Sequence, residues 1–596
     1  MAEPIFCLGF KFLGECSYNP AIPSPSYFTI GDAVAALAFT LAVNQFLKPI
    51  YQFRLQSSGI RFSYVVWAVF VGAFCTVVAA AIPNLPLTRD NIFGFPVFWE
   101  IFGGMTIGAA YLLVAIISLR GASVTPKNVE RFARAGARLL ASATDEDRSG
   151  FAQDVLSNNN LSSLMEIASE FERAELHAVA IEFEKCKALG NREAIHGRPK
   201  ITAFYEFTHR RNLKAAHFAH SFLMFLSDPN FCGVVVSRHS WEFLDQLQSV
   251  STRNWPNHPA ETFVQAVVWQ SLLNDESMLA KEVGFSGFGH HRIFAKDLFG
   301  NYNLLRSFQP LGGYAFGVPE KPTKAFVQRF NVAAEMMFKT AIDAKDFWPQ
   351  GYIHDAVNIY ENLFQKWSFA RYEGQNPEYG FALSHGIQNI YERLNDALGN
   401  MDPSLHDLLF ITDPNQFQID LVADVANIIF DFLCCVSNKF EGSNDPSWMG
   451  AFDVFRHLFP SIGNMPKGMS PLQQALAFKI VDKIRINMDG YYPTLSRVML
   501  SCIGPYYQNM TVAEGTAYSL LRDAVYIELK RLPILFKQSP EKIVERLPYN
   551  VRYDEIKKSL IHTYSGGQQV ETLLDNLQIE PVDFLDNKNL RRRNSI

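Results

Sequence analysis

The chain has 596 residues, of which 48% are hydrophobic, 19% are charged and 50 are phenylalanine. This length exceeds what a single hydrophobic core usually supports, so we expect two to four domains. The formal net charge of −5 argues against a dedicated nucleic-acid binder, and the lack of low-complexity runs argues against long disordered regions.

Three apolar stretches lie within the first 120 residues. Each has about the 20 residues that an α-helix needs to cross the hydrocarbon core of a bilayer, and aromatic residues near several ends suit the membrane interface. The sequence therefore predicts an exoplasmic segment at 1–27 and a membrane domain of three transmembrane helices at 28–120. The three stretches are Phe28 to Leu47, Phe62 to Ile82 and Val97 to Leu119.

The distribution of basic residues predicts the orientation of these helices. The connection between the first two stretches carries Lys48, Arg54 and Arg61, whereas the next connection carries only Arg89, beside Asp90. By the positive-inside rule, we expect the N-terminus outside and the bulk of the chain in the cytoplasm. The predicted location is an inner or plasma membrane.

Polar and cysteine residues near the predicted outer face are candidates for function. Asp32 and Glu100 lie near the starts of the first and third stretches. Acids inside a membrane are costly and often functional, so one interpretation is a cation-attracting or proton-sensitive pair. The other is that both side chains reach the headgroup region. Cys7 and Cys16 would be able to form a disulfide in an oxidising compartment.

Four basic residues recur at helical spacing soon after the third apolar stretch. A helix would present them on one face, where they are placed to contact anionic lipid headgroups. A solvated helix face is the alternative interpretation. The residues are Lys127, Arg131, Arg134 and Arg138.

Beyond residue 120 the apolar residues recur almost everywhere with the 3.6-residue period of α-helices, as in Thr323 to Ala344 and Ile387 to Leu398. The best strand-like run, Cys232 to Ser237, is short. We therefore expect a mainly α protein, with little or no β-structure, in which a large cytoplasmic region forms a helical bundle or an irregular α-solenoid. A break at Gly312 to Pro322 divides this region. The predicted parts are helical domains at 121–315 and 316–575 and a polar tail at 576–596.

Histidines in the segment from residue 204 to residue 222 are candidate metal ligands. His217 and His220 are three residues apart on a predicted helix, a spacing that is able to chelate a metal ion, and His209 precedes them. Ordinary surface or core histidines are the alternative. The sequence identifies neither a cofactor nor catalytic residues.

The segment from Asn274 to Phe294 combines acids, glycines, aromatics and a double histidine. We expect one amphipathic helix to run to about residue 283 and to end at Gly284, followed by a glycine-rich loop. The acids would lie on one face of that helix, and the loop would return the histidines within reach. A site for a metal or polar ligand is one interpretation; a helix end with core-filling aromatics and a partner-binding loop are the others. The candidate ligands are Asp275, Glu282, His290 and His291.

The leading hypothesis is an integral membrane protein whose large cytoplasmic helical module binds a partner or ligand and acts at the membrane. In architecture alone, such an oligomeric protein resembles bacterial membrane effectors of stress or antiphage responses. A membrane-tethered metal-dependent enzyme and an oligomeric ion channel are the alternatives. The expected partners are the lipid bilayer, further copies of the chain and a cytoplasmic protein, without nucleic acid.

Overall fold

The protein is mainly α-helical, and its chain divides into two compact units, Met1–Phe263 and Val264–Ile596. The mainly α class expected from the sequence is therefore confirmed. The computed structural model describes residues 26–59, 62–81, 96–157, 159–169, 200–251, 260–284, 292–312, 317–344, 351–372, 378–399, 532–538, 551–563 and 567–577, together with 421, 424–425, 428–429, 431–432, 522, 526, 529–530, 540 and 547.

The first unit begins with four helices, of which two have the length and composition of membrane spans. Among the described residues, only α3 and α4 are both long enough and apolar enough to cross a bilayer. Three transmembrane helices are therefore not confirmed. The four helices are α1 (Ile30–Phe46), α2 (Pro49–Ser58), α3 (Phe62–Ala81) and α4 (Pro96–Leu119).

Helix α1 is shorter than the first apolar stretch because polar and proline signals bound it at both ends. Thr29 and Asp32 form a capping box at its start. At its other end Leu47 is extended, and Lys48 precedes Pro49, a position that disfavours helical backbone. The 17 residues of α1 span about 25 Å, less than the ~30 Å of a hydrocarbon core.

Helices α3 and α4 pack closely because glycines face each other at their contact. A Cβ added to Gly103 would lie 2.9 Å from the Gly72 carbonyl oxygen and 3.1 Å from Cys75 Cβ. The absence of side chains at Gly72 and Gly103 therefore lets the two backbones approach closely. We call α3 and α4 the apolar helix pair.

The remainder of the first unit is a helical module with an aromatic core. Phe132, Phe151, Phe222 and Phe231 pack together, and Phe53 of α2 joins them with ring centroids 5.1 Å from Phe132 and 4.9 Å from Phe151. Part of the high phenylalanine content thus fills this core. Its helices are α5 (Val129–Ser142), α6 (Asp145–Leu156), a stretch at 160–169, α7 (Lys200–Phe225), α8 (Pro229–Arg238) and α9 (Ser240–Ser251).

The strand-like run from Cys232 to Ser237 is helical, contrary to its alternating pattern. It lies inside α8, where the Asp228 side chain accepts a hydrogen bond from the Phe231 amide and Pro229 occupies the first turn. These start signals, together with burial of the valines, outweigh the β-propensity of valine.

The second unit begins within α10 and centres on α14, where prediction and structure agree. Thr323 caps α14 by accepting a hydrogen bond from the Phe326 amide, at the start of the predicted helix. The helices are α10 (Glu261–Leu273), α11 (Met278–Gly284), α12 (Ile293–Phe299), α13 (Tyr302–Phe308), α14 (Lys324–Asp343), α15 (Gly351–Tyr372), α16 (Tyr379–Gly399) and α17 (Leu532–Gln538).

A three-stranded antiparallel sheet lies near the end of the second unit, where the sequence predicted only helices. The strands are in the order β1-β2-β3, with Val551 opposite His562 and Ser559 opposite Leu573. Each strand has only four or five residues, too few for a clear alternating pattern. The strands are β1 (Val551–Asp554), β2 (Ser559–Thr563) and β3 (Gln569–Leu573).

Candidate functional site

The acidic half of the predicted ligand segment does not belong to one helix. The expected helix to residue 283 is broken between α10 and α11, where Asn274 and Ser277 bond to nearby backbone. Asn274 Oδ1 accepts from the Glu276 amide at 2.8 Å, and Ser277 Oγ donates to the Ser271 carbonyl at 2.7 Å. Such local bonds compete with a continuous helix, which explains the wrong prediction.

Asp275 and Glu282 therefore act separately. Asp275 lies in the turn and pairs with the buried Arg329 at 2.8 Å. Glu282 accepts hydrogen bonds from the amides of Phe294 and Ala295, at 2.7 and 3.0 Å, in the first turn of α12. The carboxylate of Glu282 therefore lies at the N-terminal end of α12, where the helix dipole favours a negative charge. His290 and His291 lie outside the described residues.

Two of the three histidines of the predicted metal site, His217 and His220, have described side chains. His217 and His220 are exposed on α7, and the Ser221 hydroxyl lies 3.3 Å from His217 Nδ1. His209 belongs to the same helix, but its side chain lies outside the described part. Within that part, no group of three or more histidine, cysteine or acidic side chains is placed to hold a metal ion.

The two acids near the starts of the predicted spans bind neighbouring backbone. Asp32 Oδ2 accepts from both the amide and the hydroxyl of Thr29 at 2.8 Å. Glu100 Oε2 accepts from the Tyr27 amide at 2.8 Å. Both carboxylates therefore hold the segment that leads into α1. For Asp32, the three-residue spacing from Thr29 is a sequence signal of this capping role. Cys7 and Cys16 lie outside the described residues.

Three of the four predicted basic-stripe residues lie on α5, and Lys127 lies just before that helix. All four side chains are exposed. Arg134 is bound to Glu130 at 2.6 Å and lies 5.4 Å over the Phe218 ring. The stripe therefore contains both engaged and unengaged cations.

A buried ion pair joins α2 to α6, and sequence reasoning did not predict it. The Arg54 guanidinium contacts both oxygens of Asp154, at 2.7 and 2.9 Å, and donates from Nη1 to the Ser118 carbonyl at 2.7 Å. Asp154 is 2% exposed. Arg54 thus connects the segment between two apolar helices, the end of α4 and the helical module.

Asn160 reinforces the same junction. Its amide nitrogen donates to the carbonyls of Ala122 and Asp154, each at 2.6 Å, and its oxygen accepts from the Val124 amide at 2.8 Å. The segment that leaves α4 is therefore bound directly to the module. We call Arg54, Asp154 and Asn160 the junction.

Burial dominates the electrostatics of the junction. It raises the pKa of the Asp154 carboxyl above its ordinary value, although the hydrogen bonds and charge of Arg54 oppose this shift. Removal of the carboxylate from water therefore outweighs its attraction to the guanidinium. This pair positions helices at a cost in electrostatic free energy.

A charged cleft of about 780 Å³ lies in the second unit, between α12 and α16 above α14. Its floor is Glu335, whose side chain is 6% exposed and forms ion pairs with Arg393 and, at 3.6 Å, with Arg292. Both arginines line the cleft and are partly exposed. Further charged side chains line it, namely Lys296, Asp297, Glu392 and Asp396.

Buried hydrogen bonds fix α14 beneath this cleft. The Tyr360 hydroxyl donates to Asn331 Oδ1 at 3.0 Å, and Asn331 donates to the Ala382 carbonyl. Burial, with a smaller contribution from Glu335, raises the pKa of Tyr360. The phenol therefore stays protonated and keeps its hydrogen bond, which holds α14, α15 and α16 in register.

No known protein family, curated protein or solved structure matches the chain. The candidate sites are accordingly defined by their own geometry. They are the apolar helix pair, the junction and the charged cleft.

Proposed function

We propose that the chain is an integral membrane protein whose helical module binds a partner or ligand and acts at the membrane as a homo-oligomer. The observation that carries this proposal is the outer surface of the apolar helix pair. Its large side chains point outward, with Trp67 67% exposed, Phe74 65% and Met105 69%. A bilayer would cover such a surface. In water, the same surface would be an exposed apolar patch of a kind that monomeric soluble proteins rarely show.

The proposed orientation places α2 and the helical module in the cytoplasm. The basic side chains Lys48, Arg54 and Arg131 lie on the α2 side of the apolar helices, which supports this choice under the positive-inside rule. In the proposal α1 is a third, short crossing that packs on the apolar helix pair, and the N-terminus lies outside.

The junction supports an action at the membrane. Because Arg54 binds the end of α4 and the core of the module at once, a rearrangement of the module would displace the apolar helices. The charged cleft is the proposed binding place for a ligand or partner, because its half-exposed guanidinium groups keep donors available.

Membrane integration is tested by alkaline carbonate extraction of membranes from cells that express the full chain. We expect the protein to stay in the pellet. Release into the supernatant would contradict the proposal. A membrane-impermeant thiol reagent applied to intact cells after mild reduction should label Cys7 and Cys16; protection of both would contradict an outside N-terminus.

Oligomeric assembly is tested separately by light scattering of the detergent-solubilised protein. We expect a mass of at least two chains after correction for bound detergent. A single chain of 67.4 kDa would contradict assembly, but it would leave membrane integration untouched.

A further inference from the structure

Arg131 lies beside the point where the chain enters the apolar helix pair. Helix α2 ends at Gly59, whose φ of +86° suits glycine, and α3 starts at Phe62. A Cβ added to Gly59 would lie only 1.8 Å from Arg131 Nη1. The exposed guanidinium of Arg131 is therefore packed against backbone three residues before an apolar helix begins.

The corresponding end of α4 also carries an exposed cation. Helix α4 ends at Leu119, and Arg120 follows with an exposed side chain. The connection from α4 leads through the junction into α5, on which Arg131 lies. Cations thus mark the module-side ends of both apolar helices, where lipid headgroups would lie.

The cations of the basic stripe differ in how much of their charge is available. Glu130 forms ion pairs with both Arg134, at 2.6 Å, and Lys214, at 2.9 Å, and the Arg134 guanidinium also lies over the Phe218 ring. Among the residues that the structure describes, Arg131 and Arg138 have no ion-pair partner. On α5, Arg134 is therefore engaged by neighbouring side chains, whereas Arg131 and Arg138 have no ion-pair partner among the described residues.

We propose that Arg131, supported by Arg120, Lys127 and Arg138, binds the phosphate groups of anionic phospholipids in the leaflet next to the module. A guanidinium donates to two phosphate oxygens at once, and a basic residue near an anionic leaflet gains from its negative potential. Arg134 is excluded from this role because its guanidinium is already engaged by Glu130 and the Phe218 ring. The inference rests on the proposed membrane integration and narrows the predicted basic stripe to particular residues.

The test measures lipid selectivity of the full-length protein in vesicles. Spin-labelled phosphatidylglycerol and phosphatidylcholine report, by electron paramagnetic resonance, the fraction of each lipid immobilised at the protein surface. We expect phosphatidylglycerol to be preferred by the wild-type protein, and Arg131→Gln to reduce that preference about fivefold, the contribution of one basic residue near an anionic surface. Arg131→Lys keeps the charge and should stay within about twofold of wild type.

Arg134→Gln is the matched control, because it removes the same charge from the same helix face. We expect its lipid preference to stay within about twofold of wild type, since Glu130 and the Phe218 ring already engage the Arg134 guanidinium. Equal losses in Arg131→Gln and Arg134→Gln, or no preference in the wild type, would overturn the lipid site. Immobilised phosphatidylcholine reports membrane insertion itself; its absence would instead refute the proposed function.

Discussion

At the scale of single residues, carboxylates that resemble site residues in the sequence mainly hold backbone or cations in place. Glu282 caps α12, Asp32 caps α1, and Asp275 pairs with Arg329. Asp154 differs, because burial raises its pKa. A raised folded-state pKa means that the folded protein binds the proton more readily, so the stability from this group falls as pH rises from about 4 through the raised value.

Arg54→Leu is predicted to destabilise the protein by about 3–5 kcal/mol, because it leaves the Asp154 carboxylate buried without a partner. The double variant Arg54→Leu/Asp154→Leu should recover most of this loss, since it removes the buried charge as well. Equilibrium denaturant unfolding of the purified full-length protein measures both. The fall in stability as pH rises from about 4 should also weaken in the double variant.

The control for this prediction is the exposed pair of Arg148 and Asp145, which lie 2.8 Å apart. Asp145→Asn should cost no more than about 1 kcal/mol, because solvent screens the pair. A double variant that is as unstable as Arg54→Leu alone would show that the buried pair stabilises the fold.

At the scale of elements, local signals set where helices end, and glycines set how closely they pack. The capping box at Thr29 and the proline at Pro49 limit the length of α1, although the helix itself is apolar. In the apolar helix pair, Gly103 lies against α3, whereas Gly108 on the same helix has no atom within 4 Å of a Cβ added to it, among the described residues. Of these two glycines of α4, therefore, Gly103 lies at the helix contact and Gly108 does not.

Gly103→Val is predicted to separate α3 from α4 and to destabilise the protein by about 1–3 kcal/mol, because the added carbons meet the Gly72 carbonyl and Cys75. Gly108→Val is the matched control and should leave stability unchanged within about 0.5 kcal/mol. Thermal unfolding in detergent, followed by tryptophan fluorescence, compares the two. Equal shifts in both variants would show that the contact at Gly103 does not limit the packing.

At the scale of the whole molecule, α2 joins the apolar helices of the first unit to the helical module. The sequence separates these parts at residue 120, yet Phe53 is 2% exposed within the aromatic core of the module. A chain that is cut at that position would lose α2, which contributes to the core of the module, as well as the apolar helices. The predicted module is thus completed by residues that precede its predicted boundary.

A chain that begins at residue 121 is predicted to aggregate or to unfold at a lower temperature than the full-length protein, because its core lacks Phe53. In the full chain, Phe53→Ala should cost about 3–5 kcal/mol. Phe369→Ala is the control, because Phe369 is exposed, and it should cost less than about 0.5 kcal/mol. Denaturant unfolding measures the two variants; a stable, monomeric 121–596 chain would contradict the prediction.

Much of the element structure was predictable because its causes are local. The period of apolar residues predicted α14, and the length of the apolar runs predicted α3 and α4. The break between α10 and α11 and the three short strands were missed. Single side-chain bonds at Asn274 and Ser277 and strands of four or five residues leave no periodic signal.

The sequence by itself determined that the protein is mainly helical and carries apolar segments of membrane length, because composition and period depend on neighbours along the chain. Only the tertiary structure decided which charges meet. Arg54 and Asp154 are 100 residues apart, and Arg393 and Glu335 are 58 apart. Packing of distant helices buries the carboxylates of Asp154 and Glu335 and brings an arginine to each of them. No local pattern of residues records this condition.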